Sequence, residues 1–209
     1  MDIHDQENQE LSETEKMLRE DHLESSGGVL VFIGELVKIT LIALAIIVPV
    51  RYFLIKPFYV NGASMEPSYY NREYLIVDEI SYRIGEPSRG DVVVFRYPVD
   101  PSQFFIKRII GLPGERVAIR DGVVVVYTTT YPNGVTMKEP YLSDGTTTNG
   151  ETDVTLSSDE YFVLGDNRIA SLDSRRFGPL LASDIVGRTW LRGWPFDRVG
   201  VLENYQFPF

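Results

Sequence analysis

Three short segments carry side chains whose types and spacing suit acid–base or nucleophilic chemistry. The first is Asn61-Gly62-Ala63-Ser64-Met65-Glu66-Pro67, where a flexible glycine and a rigid proline bracket a serine in a tight loop. Such a loop can present Ser64 at a strand end, although a turn serine is more often only a turn former. The second is Phe104-Phe105-Ile106-Lys107-Arg108-Ile109-Ile110. In a strand, Phe105, Lys107 and Ile109 share one face. Desolvation among apolar neighbours penalises an ammonium and lowers its pKa from about 10.4, and a neutral amine is a competent general base. The plain alternative is a lysine that lays its stem on the sheet and keeps its charge in water. The third is the polar loop Gly165–Arg175, which follows the apolar stretch Tyr161–Leu164. Ser171 and Asp173 could hydrogen-bond an amine and orient it, and Asp173 could pair with Arg175. An ordinary surface loop of turn formers is the alternative there.

Composition narrows the chemistry. The chain has no cysteine and two histidines, His4 and His22. Disulfides, thiolate metal sites, cysteine nucleophiles, a Ser-His-Asp triad and a histidine-ligated zinc are therefore excluded from everything after residue 22. Any proton transfer there must use Lys, Asp, Glu or Tyr, and no metal or cofactor is expected. Only Lys56, Lys107 and Lys138 follow the first apolar run, so a catalytic lysine has few candidates. The net charge is -10. Most of it lies in residues 1–28, and the remainder is mildly acidic without a basic cluster, which argues against nucleic acid. Phosphate-binding, dinucleotide and nucleophile-elbow motifs are absent. Arg89-Gly90-Asp91 spells an adhesion tripeptide but is better explained by a glycine turn opening a strand.

The elements that must position these residues follow from hydropathy. The 209 residues suggest one domain with an appendage. Residues 1–28 are acidic, polar and expected to be disordered. Residues 29–55 are apolar enough to cross a bilayer, which takes about 20 residues, and end in a basic, aromatic border of Arg51, Tyr52 and Lys56. Residues 57–209 read as β-rich. Short Val/Ile/aromatic segments at Glu73–Ile80, Asp91–Tyr97, Gln103–Ile110, Glu115–Ile119, Val123–Tyr127, Glu160–Leu164 and Ile185–Leu191 are separated by Gly and Pro turns. Residues 128–158, rich in Thr, Gly, Asn and Ser, read as an exposed excursion with a turn at Asn133-Gly134. The expected fold is a mainly β domain of coiled antiparallel sheets, barrel-like, behind a single N-terminal transmembrane helix.

Taken together, the segments resemble the bacterial type I signal peptidases. The matching boxes are Gly62-Ala63-Ser64-Met65-Glu66-Pro67, Arg89-Gly90-Asp91-Val92-Val93-Val94-Phe95, Lys107-Arg108-Ile109-Ile110-Gly111-Leu112-Pro113-Gly114-Glu115, and Gly165-Asp166-Asn167-Arg168 through Ser171, Asp173, Ser174 and Arg175. They fall in family order behind a membrane segment and cover roughly residues 30–200. The resemblance implies a membrane-bound serine endopeptidase that removes signal peptides from exported preproteins, cutting after small residues. It implies Ser64 as nucleophile, Lys107 as general base, Ser171 and Asp173 as lysine-positioning groups and Arg175 as a brace for Asp173. The Ser64 N–H would join the oxyanion hole, and Phe58, Val60, Phe105 and Ile106 would line the substrate pockets. The family lies in the cell membrane with the N-terminus cytoplasmic and the catalytic domain outside. Its partners would be preproteins and the lipid bilayer. In some relatives a serine stands where this chain has Gly62, and larger relatives carry a bigger insertion than residues 128–158. Two rivals are another Ser/Lys peptidase, such as a self-cleaving repressor, and a non-enzymatic membrane-anchored β-domain that binds a partner.

Overall fold

A computed structural model of the chain describes residues 31–48 and 55–208. Two units separate, one formed by residues 1–50 and one by residues 51–209. In the first, helix α1, Val31–Val48, is long and apolar enough to cross a membrane, and its large apolar side chains are exposed. The expected disordered tail, and the parts of the 29–55 span before residue 31 and between 49 and 54, lie outside the described residues. Ile55 does not prolong the apolar helix; it opens the first strand, β1, Ile55–Tyr59. Pro57 hid this strand in the sequence, yet proline is tolerated on a sheet edge, where β1 lies.

The second unit is antiparallel throughout. The larger sheet runs β1, β2 (Tyr74–Asp78), β11 (Ile185–Trp194), β3 (Val92–Tyr97), β4 (Asp100–Gly111), β9 (Glu160–Leu164) and β10 (Leu180–Leu181), with β12 (Gly200–Val201) paired to β11. The smaller sheet runs β7 (Val135–Thr136), β6 (Val123–Tyr127), β5 (Arg116–Arg120) and β8 (Thr152–Thr155). Two one-turn helices, α2 (Ser81–Ile84) and α3 (Ser174–Phe177), complete the elements used below. All seven segments expected as strands are strands. The additional ones are short or interrupted by proline and polar residues.

Alternating burial along β2 and β6 shows the period of two that selects strands. Three apolar clusters hold the body together. Ile110, Phe162 and Leu164 from the large sheet pack on Val117, Ile119, Val124 and Val126 from the small one. Val93, Phe95, Ile109 and Val163 form the second cluster. Val60, Met65, Tyr69, Leu75 and Val92 form the third, beneath the Ser64 loop. Each fully buried aliphatic or aromatic side chain contributes about 1.5–3 kcal/mol.

Most of residues 128–158 is exposed, as their composition suggests, but the segment is anchored to the body at several points. β7 and β8 extend the small sheet, Met137 and Thr148 are buried, and Glu139 forms an ion pair with Arg168. Glu139 and Thr148 turn inward to bond Arg168, which composition alone cannot distinguish from solvated side chains. Arg89-Gly90-Asp91 is structural. Arg89 pairs with Glu115, and the buried Asp91 accepts from Tyr82, the Ser88 N–H and Asn204.

Candidate active site

The loop between β1 and β2 is fixed at both ends and from beneath. The Val60 N–H donates to the Glu73 carbonyl and the Arg72 N–H to the Val60 carbonyl, both at 2.9 Å, closing its base. Met65 and Tyr69 anchor it in the third cluster, and the Tyr69 and Thr189 hydroxyls hydrogen-bond at 2.8 Å. Arg192, paired with the buried Glu73, donates to the Ser68 carbonyl at 2.8 Å. Ser64 stands on this frame.

β4 brings the lysine. Its first half is exposed and its second half enters the core; Lys107, opposite Val93, lies where it dives. Its neighbours two positions away, Phe105 and Ile109, pack in the second cluster. Only 3 % of Lys107 is exposed. Its Nζ donates to Ser64 Oγ at 2.9 Å and to the Ile106 carbonyl at 2.7 Å. Burial pushes the ammonium down to about 8, against the opposing charges of Asp173 and Asp166. The amine is thus substantially neutral at mildly alkaline pH, and neutral Nζ can accept the Ser64 hydroxyl proton.

The third segment clamps the other two. Asp173 is fully buried and caps α3. It accepts two hydrogen bonds of 2.8 Å from the Arg175 guanidinium and one of 3.1 Å from the Gly165 N–H. Burial would raise this carboxyl, but the hydrogen bonds and charge of Arg175 outweigh it and hold the pKa below the ordinary value. Asp173 therefore remains ionised and acts on Lys107 by charge; among the described residues neither Asp173 nor Ser171 hydrogen-bonds Nζ. Ser171 Oγ is buried beside Asp173, which it helps keep ionised; among the described residues it has no partner in normal hydrogen-bond geometry.

Composition did not reveal the residues that tie the loops together. The Asn167 N–H donates to the Ser64 carbonyl at 3.0 Å, and Asn167 Nδ2 to the Ala63 carbonyl at 3.1 Å. Asp166, next to it, forms a buried two-point pair with Arg108, the residue after the lysine, at 2.9 and 2.6 Å. Arg168 bonds Glu139 and Thr148 from the polar excursion, and Arg175 bonds the Asn149 carbonyl. Gly165 fills a contact where no side chain fits. A Cβ there would lie 2.5 Å from the Ser64 carbonyl oxygen and 2.6 Å from Ser171 Cβ. Asp-Asn after glycine reads simply as a turn; the long-range partners supply its second role.

Phe58, Val60, Phe105 and Ile106 all line one cavity of about 440 Å³ together with Ser64 and Lys107. Its walls include two unpaired strand edges. Among the described residues β1 pairs only with β2, and β9 ends with Leu164 opposite Arg108, leaving the first half of β4 paired only with β3. Phe58 and Phe104 meet edge to face at 5.5 Å across these strands. Among the described residues no three His, Asp or Glu side chains converge as metal ligands would.

The Ser64 N–H has no acceptor among the described residues. Gly62, two positions earlier, has φ 103°, a left-handed backbone, with nothing within 4 Å of where a Cβ would stand. The space would accept a hydroxyl, but the backbone disfavours any side chain, at a cost on the order of 1–2 kcal/mol. Gly62→Ala and Gly62→Ser are therefore expected to lower kcat by similar factors. A Gly62→Ser enzyme well above Gly62→Ala would show instead that the position lacks only a hydrogen-bond donor.

The chain is similar to known proteins. A family model described as Signal peptidase, peptidase S26 matches residues 33–194. Probable signal peptidase I-2 of Synechocystis sp. is 37% identical over 176 residues, covering 81% of this chain and 77% of that protein. Signal peptidase I of Bacillus caldolyticus is 36% identical over 172 residues, covering 75% of this chain and 89% of that protein. Signal peptidase I T of Bacillus subtilis is 36% identical over 172 residues, covering 78% and 86%.

Proposed function

The chain belongs to the signal peptidase family, peptidase S26, whose members remove signal peptides, and from that premise we propose that Ser64 and Lys107 form its catalytic pair. The observation that carries this reading is the 2.9 Å contact between Ser64 Oγ and a buried Lys107 Nζ whose pKa falls to about 8. The non-enzymatic alternative does not survive membership of a peptidase family.

Neutral Lys107 takes the Ser64 proton as Oγ attacks the scissile carbonyl. Charge develops on the carbonyl oxygen, toward which the unpaired Ser64 N–H is the first donor; one good donor of this kind is worth about 2.7–4 kcal/mol. Collapse breaks the C–N bond, and the Lys107 ammonium returns the proton to the departing amine. The mature protein leaves, with an acyl ester on Ser64. Water, deprotonated by Lys107, hydrolyses the ester and restores the serine. Asp173, braced by Arg175, and Asp166, braced by Arg108, hold the surrounding charge and loop geometry, and Ser171 packs against Gly165.

An extended substrate would add along the free edges of β1 and β4, with alternate side chains entering the cavity. Phe58, Val60, Phe105 and Ile106 would restrict the first and third positions before the cut to small side chains. Helix α1 would anchor the enzyme in the cell membrane with its N-terminus cytoplasmic and the β-rich body on the outer face, where exported chains emerge. The basic residues do not choose between orientations: Lys16 and Arg19 precede α1, Lys38 lies within it, and Arg51 and Lys56 follow it.

The test is cleavage of a preprotein by the detergent-solubilised full chain. Wild type should release one mature product with a new N-terminus after a small residue. Absence of cleavage across a panel of preproteins would overturn the reading. Protease added outside cells with an opened envelope should digest the body after residue 57; protection of that body would reverse the orientation.

A further inference from the structure

The cavity beside the catalytic pair has a wall to which the mechanism gives no role. Ala170 and Leu172 line it on the loop between β9 and α3, and Leu172 is exposed. The loop backbone is held in place. The Ala170 N–H donates to the Asn167 carbonyl and side chain at 3.1 and 3.2 Å, and Asn167 is itself bonded to Ala63 and Ser64. The fully buried Asp173 fixes the other end. Apolar side chains are therefore presented to the cavity from a fixed frame beside the reacting atoms, where a polar turn would have been cheaper to solvate.

Chemistry decides which part of the substrate meets this wall. The base that takes the Ser64 proton must return it to the leaving nitrogen, so that nitrogen passes within reach of Lys107 Nζ. Nζ is held between the Ile106 carbonyl and Ser64 Oγ and feels the charge of Asp173, which belongs to the Leu172 loop. The residues before the cut have the free edges of β1 and β4 with Phe58 and Ile106. The residues after it leave past Nζ toward the loop.

Resting on the peptidase reading above, we infer that Leu172, with Ala170, forms an apolar subsite for the residue immediately after the cut, the first residue of the released protein. An aliphatic side chain there covers Leu172. An acidic one loses hydration against Leu172 without a partner to replace it. Leu172 thus selects on the leaving side, separately from the small-residue requirement on the acyl side.

The experiment measures kcat/KM for two preprotein-derived peptides that differ only in the residue after the cut, leucine or aspartate. The wild-type full chain should favour leucine by about 10-fold or more, the scale of discrimination a hydrophobic pocket achieves. Leu172→Ala should bring the ratio to within about 3-fold, and Leu172→Lys should favour aspartate. A second pair, varied only at the third residue before the cut, should keep its wild-type ratio in both variants. An unchanged leucine-to-aspartate ratio in both variants, or an equal change in the two pairs, would overturn the subsite while leaving the peptidase reading intact. Failure of wild type to cleave either leucine peptide or a full preprotein would remove the peptidase reading and the subsite with it.

Discussion

Ser64→Ala and Lys107→Met are each expected to reduce preprotein cleavage by at least about 10⁴-fold, and the double variant to lose little more, because the two groups act as a unit. Lys107→Arg should fail as completely, since a guanidinium stays protonated and cannot accept the serine proton. Stability moves the other way. Lys107 is buried and its folded-state pKa is lowered to about 8. Folding therefore opposes its charged form: the penalty is full below about pH 8 and disappears above the unfolded value of about 10.4. At about 1.4 kcal/mol per pH unit, the penalty at neutral pH is on the order of 3 kcal/mol. Methionine fills similar space without a charge, so Lys107→Met should melt above wild type at pH 7 and lose that advantage at pH 11. A single variant retaining near-normal turnover would remove Ser64 or Lys107 from the mechanism; a Lys107→Met protein that unfolds more easily at pH 7 would mean the lysine is not desolvated.

Gly165→Ala carries the second large effect. Its backbone lies outside the left-handed region, so alanine brings no conformational strain of its own. The added methyl instead meets the Ser64 carbonyl oxygen and the Ser171 side chain. The Ser64 loop or the Ser171 loop must move, and displacement of reacting atoms by about 1 Å costs about 10²-fold in rate. We expect kcat to fall by at least about that factor with a far-ultraviolet spectrum like wild type. Gly200→Ala supplies the control, since nothing lies within 4 Å of its Cβ position and its φ is ordinary. Equal activity of both variants would show that the Gly165 contact does not set the geometry of the pair.

The sequence made some of this site visible and hid the rest for identifiable reasons. Lys107 was legible because strand alternation puts it between Phe105 and Ile109, and Ser64 because Gly62 and Pro67 frame it. The seven expected strands announced themselves through β-branched runs between Gly and Pro turns. β1 did not, because Pro57 breaks a strand pattern everywhere except at an edge. Asn167 and Gly165 looked like turn residues, and their second role depends on contacts about a hundred positions away in the chain. The polar excursion is mostly solvated, as its composition suggests, but sequence cannot show that Thr148 and Glu139 turn inward to Arg168. The family boxes contain Gly165 and Asn167, and their contacts with the Ser64 loop supply the physical reason.

The most direct test of the paired Ser64 and Lys107 is the pH dependence of kcat/KM for a preprotein-derived peptide, which reports the ionisation of groups in the free enzyme. Activity should rise with increasing pH along an acid limb with an apparent pKa of about 8, the value burial imposes on Lys107. A limb near about 10.4, the value of a solvated lysine, or one that persists at full turnover in Lys107→Met, would contradict a buried lysine acting as the base.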